Sequence, residues 1–222
     1  MTSLLRKIKQ TFSPHRSPTK GLEDRAHEPS ELVAYAIRYL NRPRNTWTAT
    51  EKRSFRLRND WREREFFTFS QGTEPSHLQM VYLITCFDDI FFGGVLRGKV
   101  EFEYSRFLSA ADGTTLRGYT EKLSRDEPAT RYINPGWRPV LLSGHEYHLG
   151  VIRTLLHESC HAYLQLYACH SRTCSKNGGC RVKIGEDGHG EAWIKLAYAL
   201  EDTAMKVLNL TPLNLVKPSA AN

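Results

Sequence analysis

Apolar residues recur along this chain first at helical spacing, then at a spacing of two, then at helical spacing again. Leu32, Val33, Ala34, Ile37 and Leu40 form one stripe, which predicts a helix from Ser30 to Asn41, capped by Ser30 and stopped by Arg42-Pro43. Leu78, Val81, Tyr82, Ile84 and Thr85 predict a second helix from Glu74 to Asp89, with Pro75 in its first turn. Val100, Phe102 and Tyr104 then alternate with Lys99, Glu101 and Glu103, the pattern of a half-buried strand. Thr115–Thr120 and Arg131–Ile133 are two further strand candidates, set apart by loops containing Asp112-Gly113 and Glu127-Pro128. His148 to Ala168 is apolar almost all round, as a helix buried in a core is. Trp193, Leu196, Ala197, Leu200, Ala204 and Val207 mark a closing helix. Helix, small sheet, buried helix and closing helix make an α+β domain, without internal repeats.

Composition sets the limits. With 222 residues, 40% of them hydrophobic, the chain supports one sizeable core. No uncharged apolar run approaches the roughly 18 residues that span a bilayer, and the N-terminus lacks a secretory apolar region. A soluble, intracellular, monomeric protein is therefore expected. The formal charge of +7 is uneven: residues 1–66 hold 15 Lys and Arg against 8 Asp and Glu, and the remainder holds 16 of each. This divides the chain into a basic Ser/Pro-rich tail expected to be disordered (1–29), a basic and aromatic extension with one helix (30–73), a neutral domain (74–210) and a short C-terminal tail (211–222). Met1–Phe12 would suit a mitochondrial presequence, but a solvated basic tail is the preferred reading. Ser13-Pro14 and Ser17-Pro18 fit a proline-directed phosphorylation pattern, in which phosphate would offset local basicity.

The chemistry concentrates in His157-Glu158-Ser159-Cys160-His161, an H-E-x-x-H signature inside the buried helix. At about 3.6 residues per turn, both imidazoles share a face and converge on a point suited to Zn²⁺. Glu158 falls beside that point, where it can take a proton from bound water. A catalytic zinc needs a third ligand and an open position. The metzincin pattern would place a histidine where Tyr167 stands, which excludes it. A thermolysin-like site would use Glu186 or Glu191. His189 is the better candidate, flanked by Gly185, Gly188 and Gly190 and opening the closing helix.

These residues resemble a family. His157-Glu158-x-x-His161-Ala162, followed by Asp187-Gly188-His189-Gly190 and Trp193, looks like the SprT-like metalloprotease domain, the catalytic part of Spartan-type proteases of DNA-protein crosslinks. Phe87–Leu96 is similar to the family's opening helix and its aromatic exit, and Ile133-Asn134-Pro135 to the strand before the active helix. The likeness covers about residues 74–209; no C-x-x-C…C-x-x-C ribbon follows it. It implies a zincin-like fold, His157, His161 and His189 as zinc ligands, Glu158 as base, DNA-linked protein substrates and a nuclear or nucleo-cytoplasmic location. Two other readings stay open: a zinc-stabilised nucleic-acid-binding or adaptor protein without proteolysis, and a general intracellular peptidase.

Two accessory features remain. Between Arg44 and Glu65, Trp47 and Trp61 interleave with Lys52, Arg53, Arg56 and Arg58, the components of a single-stranded nucleic-acid surface, or else an extension whose rings pack inward. Cys169, His170, Cys174 and Cys180 are candidates for a second, structural zinc, although no C-x-x-C knuckle is present; reduced thiols or one disulfide are the alternative. Cys86 and Cys160 read as buried thiols.

Overall fold

The computed structural model describes residues 22–70, 76–102, 118–122, 131–135, 144–169 and 179–216. Met1–Phe12, Ser13 and Ser17 lie outside them, as do His170 and Cys174. Helix α1 (Pro29–Leu40) starts one residue before the sequence pattern places it. Pro29, which has no N–H to donate, takes the first helical position, so the cap falls to Glu28, whose carboxylate accepts the Glu31 N–H at 3.0 Å, and not to Ser30. A 3₁₀ turn (Arg44–Thr46) leads to α2 (Ala49–Ser70), a second helix in the extension where the pattern predicts one. Its buried positions include Glu51, Ser54 and Arg58, three to four residues apart. The inward stripe is polar, and hydrophobic periodicity does not register it.

Helix α3 (His77–Phe87) opens with a capping box, Ser76 accepting from the Gln79 N–H and Gln79 accepting from the Ser76 N–H. It runs into a π-helical turn (Asp88–Phe92) closed by Gly93 in the left-handed region. The strands are β1 (Val100–Phe102), β2 (Gly118–Lys122) and β3 (Arg131–Pro135), in the order β1-β3-β2. β1 runs parallel and β2 antiparallel to the central β3, with Thr120 opposite Ile133. Helix α4 (Gly144–Tyr167) packs on β3 and β2, a short α5 (Cys180–Ile184) follows, and α6 (Glu191–Leu208) closes the fold against α4 and α1. The architecture is α+β and mostly helical.

One hydrophobic cluster joins Leu32, Leu40 and Trp47 to Leu83, Phe87 and Phe91, to Leu155, Leu156, Trp193 and Leu196, and to Leu213 and Leu215. The extension and the segment after α6 therefore share a core with the helix that carries the H-E-x-x-H signature. Residues 22–28, expected to be disordered, run along the end of α4. The Arg25 and His27 N–H groups donate to the Leu166 and Tyr167 carbonyls at 2.9 and 3.1 Å, satisfying acceptors that the last turn of a helix leaves open. No helix among the described residues is long and apolar enough to cross a membrane.

Candidate metal centre

His157 and His161 stand one turn apart on α4, and the loop before α6 brings His189 to them. The three Nε2 atoms form a near-equilateral triangle with separations of 3.1, 3.2 and 3.3 Å. Its backing is aromatic: the Trp193 ring lies 4.6 to 5.1 Å from all three imidazoles and stacks on His161. Two glycines make the approach possible. At Gly188 (φ 82°) a Cβ would sit 3.1 Å from His161 Nδ1, against the ring. At Gly190, whose N–H donates to the Ile184 carbonyl at 2.6 Å, a Cβ would meet backbone at 2.5 Å. A side chain at Gly188 would press on the His161 ring, and one at Gly190 would force apart the turn that joins α5 to His189.

Hydrogen bonding on the far side of the rings decides what the triangle can hold. His157 Nδ1 lies 3.1 Å from the Leu215 carbonyl oxygen. A carbonyl only accepts, so Nδ1 carries the hydrogen and Nε2 presents a lone pair. His189 Nδ1 faces Asp187 Oδ2 at 3.4 Å, which assigns the same tautomer. The Asp187 carboxylate also accepts the His189 N–H at 3.0 Å, which holds it below the usual carboxylate range. Two lone pairs thus point into the triangle, where His161 Nε2 lies 3.3 and 3.1 Å from them; it answers one of them with a hydrogen in its Nε2–H tautomer, and shares a cation with both when it presents a lone pair. An added proton is disfavoured on two of the rings: burial, reinforced by the neighbouring imidazoles, lowers His157 to about 4 and His161 to about 3. A metal ion fits. Tetrahedral zinc with Zn–N bonds of about 2.0–2.1 Å separates its nitrogens by about 3.3–3.4 Å, close to the spacing observed.

Glu158 is buried next along α4 from His157. The Thr120 hydroxyl, from β2, lies 2.7 Å from Glu158 Oε2 and 3.1 Å from its carbonyl oxygen. Burial pushes the carboxyl up to about 7, and the Thr120 hydrogen bond opposes part of that rise. Thr120 lies within a strand legible in the sequence, but its meeting with Glu158 depends on how the sheet packs on α4. The Leu215 carbonyl has no sequence signal. Glu186 and Glu191 are exposed, Glu191 pairs with Lys195, and neither joins the histidine cluster.

The remaining candidates fare unevenly. Trp47 is 7% exposed, set edge-on against Phe55, with Arg44 over both rings; Arg58 is 0% exposed and reaches the Leu208 carbonyl at 3.4 Å. Both are removed from any nucleic-acid surface, because they fill the space between α2 and the core. Lys52, Arg53 and Arg56 are exposed on α2, while the Trp61 side chain lies outside the described residues. Cys86 and Cys160 are buried thiols, and burial pushes Cys86 up to about 12 and Cys160 up as well. With His170 and Cys174 undescribed, the second metal set is not assembled among the described residues. Compared with protein-family models, curated proteins and solved structures, the chain matches none of them.

Proposed function

We propose that this chain is a zinc-dependent peptidase with a zincin-like, SprT-type domain, acting on DNA-associated proteins. The observation that carries the reading is the triangle of Nε2 atoms at 3.1 to 3.3 Å, with a buried carboxylate one residue along the same helix. His157, His161 and His189 would hold the ion. Zinc, when bound, supplies a Lewis acid that acidifies water and polarises a peptide carbonyl. Glu158 accepts the proton of the attacking water at a carboxylate oxygen and returns it to the leaving amine. Its raised pKa keeps the two protonation states close in energy near neutral pH, and the neighbouring cation draws the value back down. Thr120 holds Oε2 and so limits the rotamers from which that transfer is made. The substrate class rests on the family resemblance, and the exposed Lys52, Arg53 and Arg56 supply basic surface compatible with it.

The test is incubation with a DNA-bound basic protein, with and without single-stranded DNA and a chelator. Cleavage should require zinc. Glu158→Gln should keep zinc and lose roughly 10²–10⁴-fold in rate, whereas His161→Ala should lose both. Zinc binding with no cleavage under any condition would leave a zinc-stabilised binding protein, and cleavage indifferent to DNA a general peptidase. A fully active Glu158→Gln protein would contradict the mechanism itself.

A further inference from the structure

The segment after α6 is built into the metal centre. The Glu201 carboxylate, on α6, accepts two successive backbone N–H groups: Asn214 at 2.6 Å through Oε1 and Leu215 at 3.0 Å through Oε2. The two amides converge because Asn214 adopts φ 56°, in the left-handed region that asparagine enters more readily than most side chains. On either side Leu213 and Leu215 are 3% and 0% exposed, so the segment is also anchored in the core. Apolar burial fixes where the segment lies but not which way its peptide planes face. The two accepted N–H groups fix the two peptide planes up to the Leu215 N–H; the carbonyl is one backbone torsion further on, about the fully buried Leu215, and meets His157 Nδ1 at 3.1 Å.

We infer that Glu201 is a positioning residue for the metal centre, acting through Leu215 on His157. This rests on the metal reading above. Its effect is on tautomer and ring direction. With the carbonyl in place, His157 keeps its hydrogen on Nδ1 and its lone pair on Nε2. Without it, the ring gains access to the other tautomer and to rotation about its terminal torsion. Partners behind a metal-bound histidine carry about 10- to 100-fold in metal affinity. Glu201→Ala should therefore weaken zinc binding by about that factor, and Glu201→Gln, which retains one acceptor oxygen, should fall between.

The measurement is zinc competition against a chromophoric chelator on the full chain, beside urea unfolding of the metal-free protein and ¹⁵N spectra of the His157 ring. The result expected is graded zinc weakening (Ala more than Gln), with the Nδ1–H form of His157 in the wild-type protein giving way to mixed tautomers in the variants. A purely structural Glu201 would instead lower the unfolding midpoint and leave the zinc affinity of the folded protein unchanged, which overturns the inference. If Glu201→Ala does not fold, the wild-type spectrum still decides, because an Nε2–H form of His157 overturns it as well. A wild-type chain that does not bind zinc brings down the metal reading, whereas one that binds zinc as tightly with Glu201→Gln and Glu201→Ala brings down only this inference.

Discussion

Two clusters of ionisable side chains sit against the same core, one buried and one that opens to solvent at His189, and they are balanced in different ways. Around the π-helical turn, acceptors face donors. Glu51 takes the Tyr39 hydroxyl, the Arg42 guanidinium at 2.9 Å and the Thr48 N–H at 2.6 Å. Asp89 takes the Ser54 hydroxyl at 2.6 Å and the Arg97 guanidinium, and Asp88 takes the Leu96 N–H at 3.1 Å. At the histidine triangle, three ring nitrogens face one another. The carboxylates are all buried, whereas the histidines grade from buried His161 through half-buried His157 to exposed His189. The difference lies in whether the protein itself supplies the complement. Apart from Asp88 Oδ2, the carboxylate cluster is answered by donors of the chain itself, and it ties α1 and α2 to the turn after α3. The histidine cluster brings three ring nitrogens to a spacing that could hold a metal ion.

That contrast breaks most sharply by exchanging the lesions. Asp89→Ala should cost on the order of 3 kcal/mol of stability, the low end for breaking a buried ion pair, because Arg97 keeps 28% of its side-chain surface exposed. The zinc affinity of the molecules that remain folded should not change. Glu158→Gln should do the reverse, with the unfolding midpoint held or raised and turnover lost. Urea melts beside zinc competition read both. If Asp89→Ala weakened zinc as strongly as it weakened the fold, the two clusters would be one network.

A smaller effect separates Asp88 from its neighbours. Among the described residues its Oδ2 has no hydrogen-bond partner, and burial pushes the carboxyl up to about 7 from 3.8. A raised carboxylate pKa means the folded state holds a proton that the unfolded state has released. Its contribution to stability is therefore fully present below about pH 4 and is lost as pH rises towards 7. Asp88→Asn mimics the protonated form at every pH. It should match the wild type near pH 4 and exceed it by a few kcal/mol at pH 8, in paired melts at the two pH values. An unchanged gap between the two proteins across that range would mean that Asp88 is charged in the fold.

What the sequence discloses follows from how local each signal is. His157 and His161 are legible because one helical turn relates them, and His189 because glycines flank it where a loop must close on a helix. The three strands and both long C-terminal helices are legible from periodicity, with ends displaced by a few residues. Helix α2 is not, since its inward stripe carries Glu51, Ser54 and Arg58, whose partners come from other elements. The same interleaving of rings and cations arises whether the rings face water or the core, so the pattern leaves both readings open, and the structure takes the inward one for Trp47 and buries Arg58 with it. Thr120 and Leu215 meet α4 only through tertiary packing, and Leu215 acts through its backbone, which no side-chain pattern encodes.

The glycine loop offers a finer cut at the histidine half. Gly188→Ala places a methyl 3.1 Å from His161 Nδ1 in a residue held at φ 82°. Left-handed strain for a residue with a side chain is worth about 1–3 kcal/mol. The strain falls on the loop that carries His189, so zinc affinity should drop along with stability. An alanine that costs stability but leaves zinc binding intact would show that His189 reaches the triangle without help from this turn.

The smallest effect belongs to the exposed face of α2. Lys52, Arg53 and Arg56 point away from both clusters, so reversing them together to Glu should move stability by no more than about 0.5 kcal/mol per position and leave zinc affinity alone. Binding to single-stranded DNA is the sensitive readout. Each phosphate that is no longer neutralised reduces the slope of log affinity against log salt by about 0.7, so three such phosphates remove about 2 from it. A variant that keeps the wild-type slope would place the DNA-binding surface elsewhere on the chain. One that loses the slope yet cleaves a DNA-bound substrate at the wild-type rate would show that DNA binding and proteolysis are separate properties, with the basic helix as dispensable to the chemistry as the carboxylate cluster beneath it.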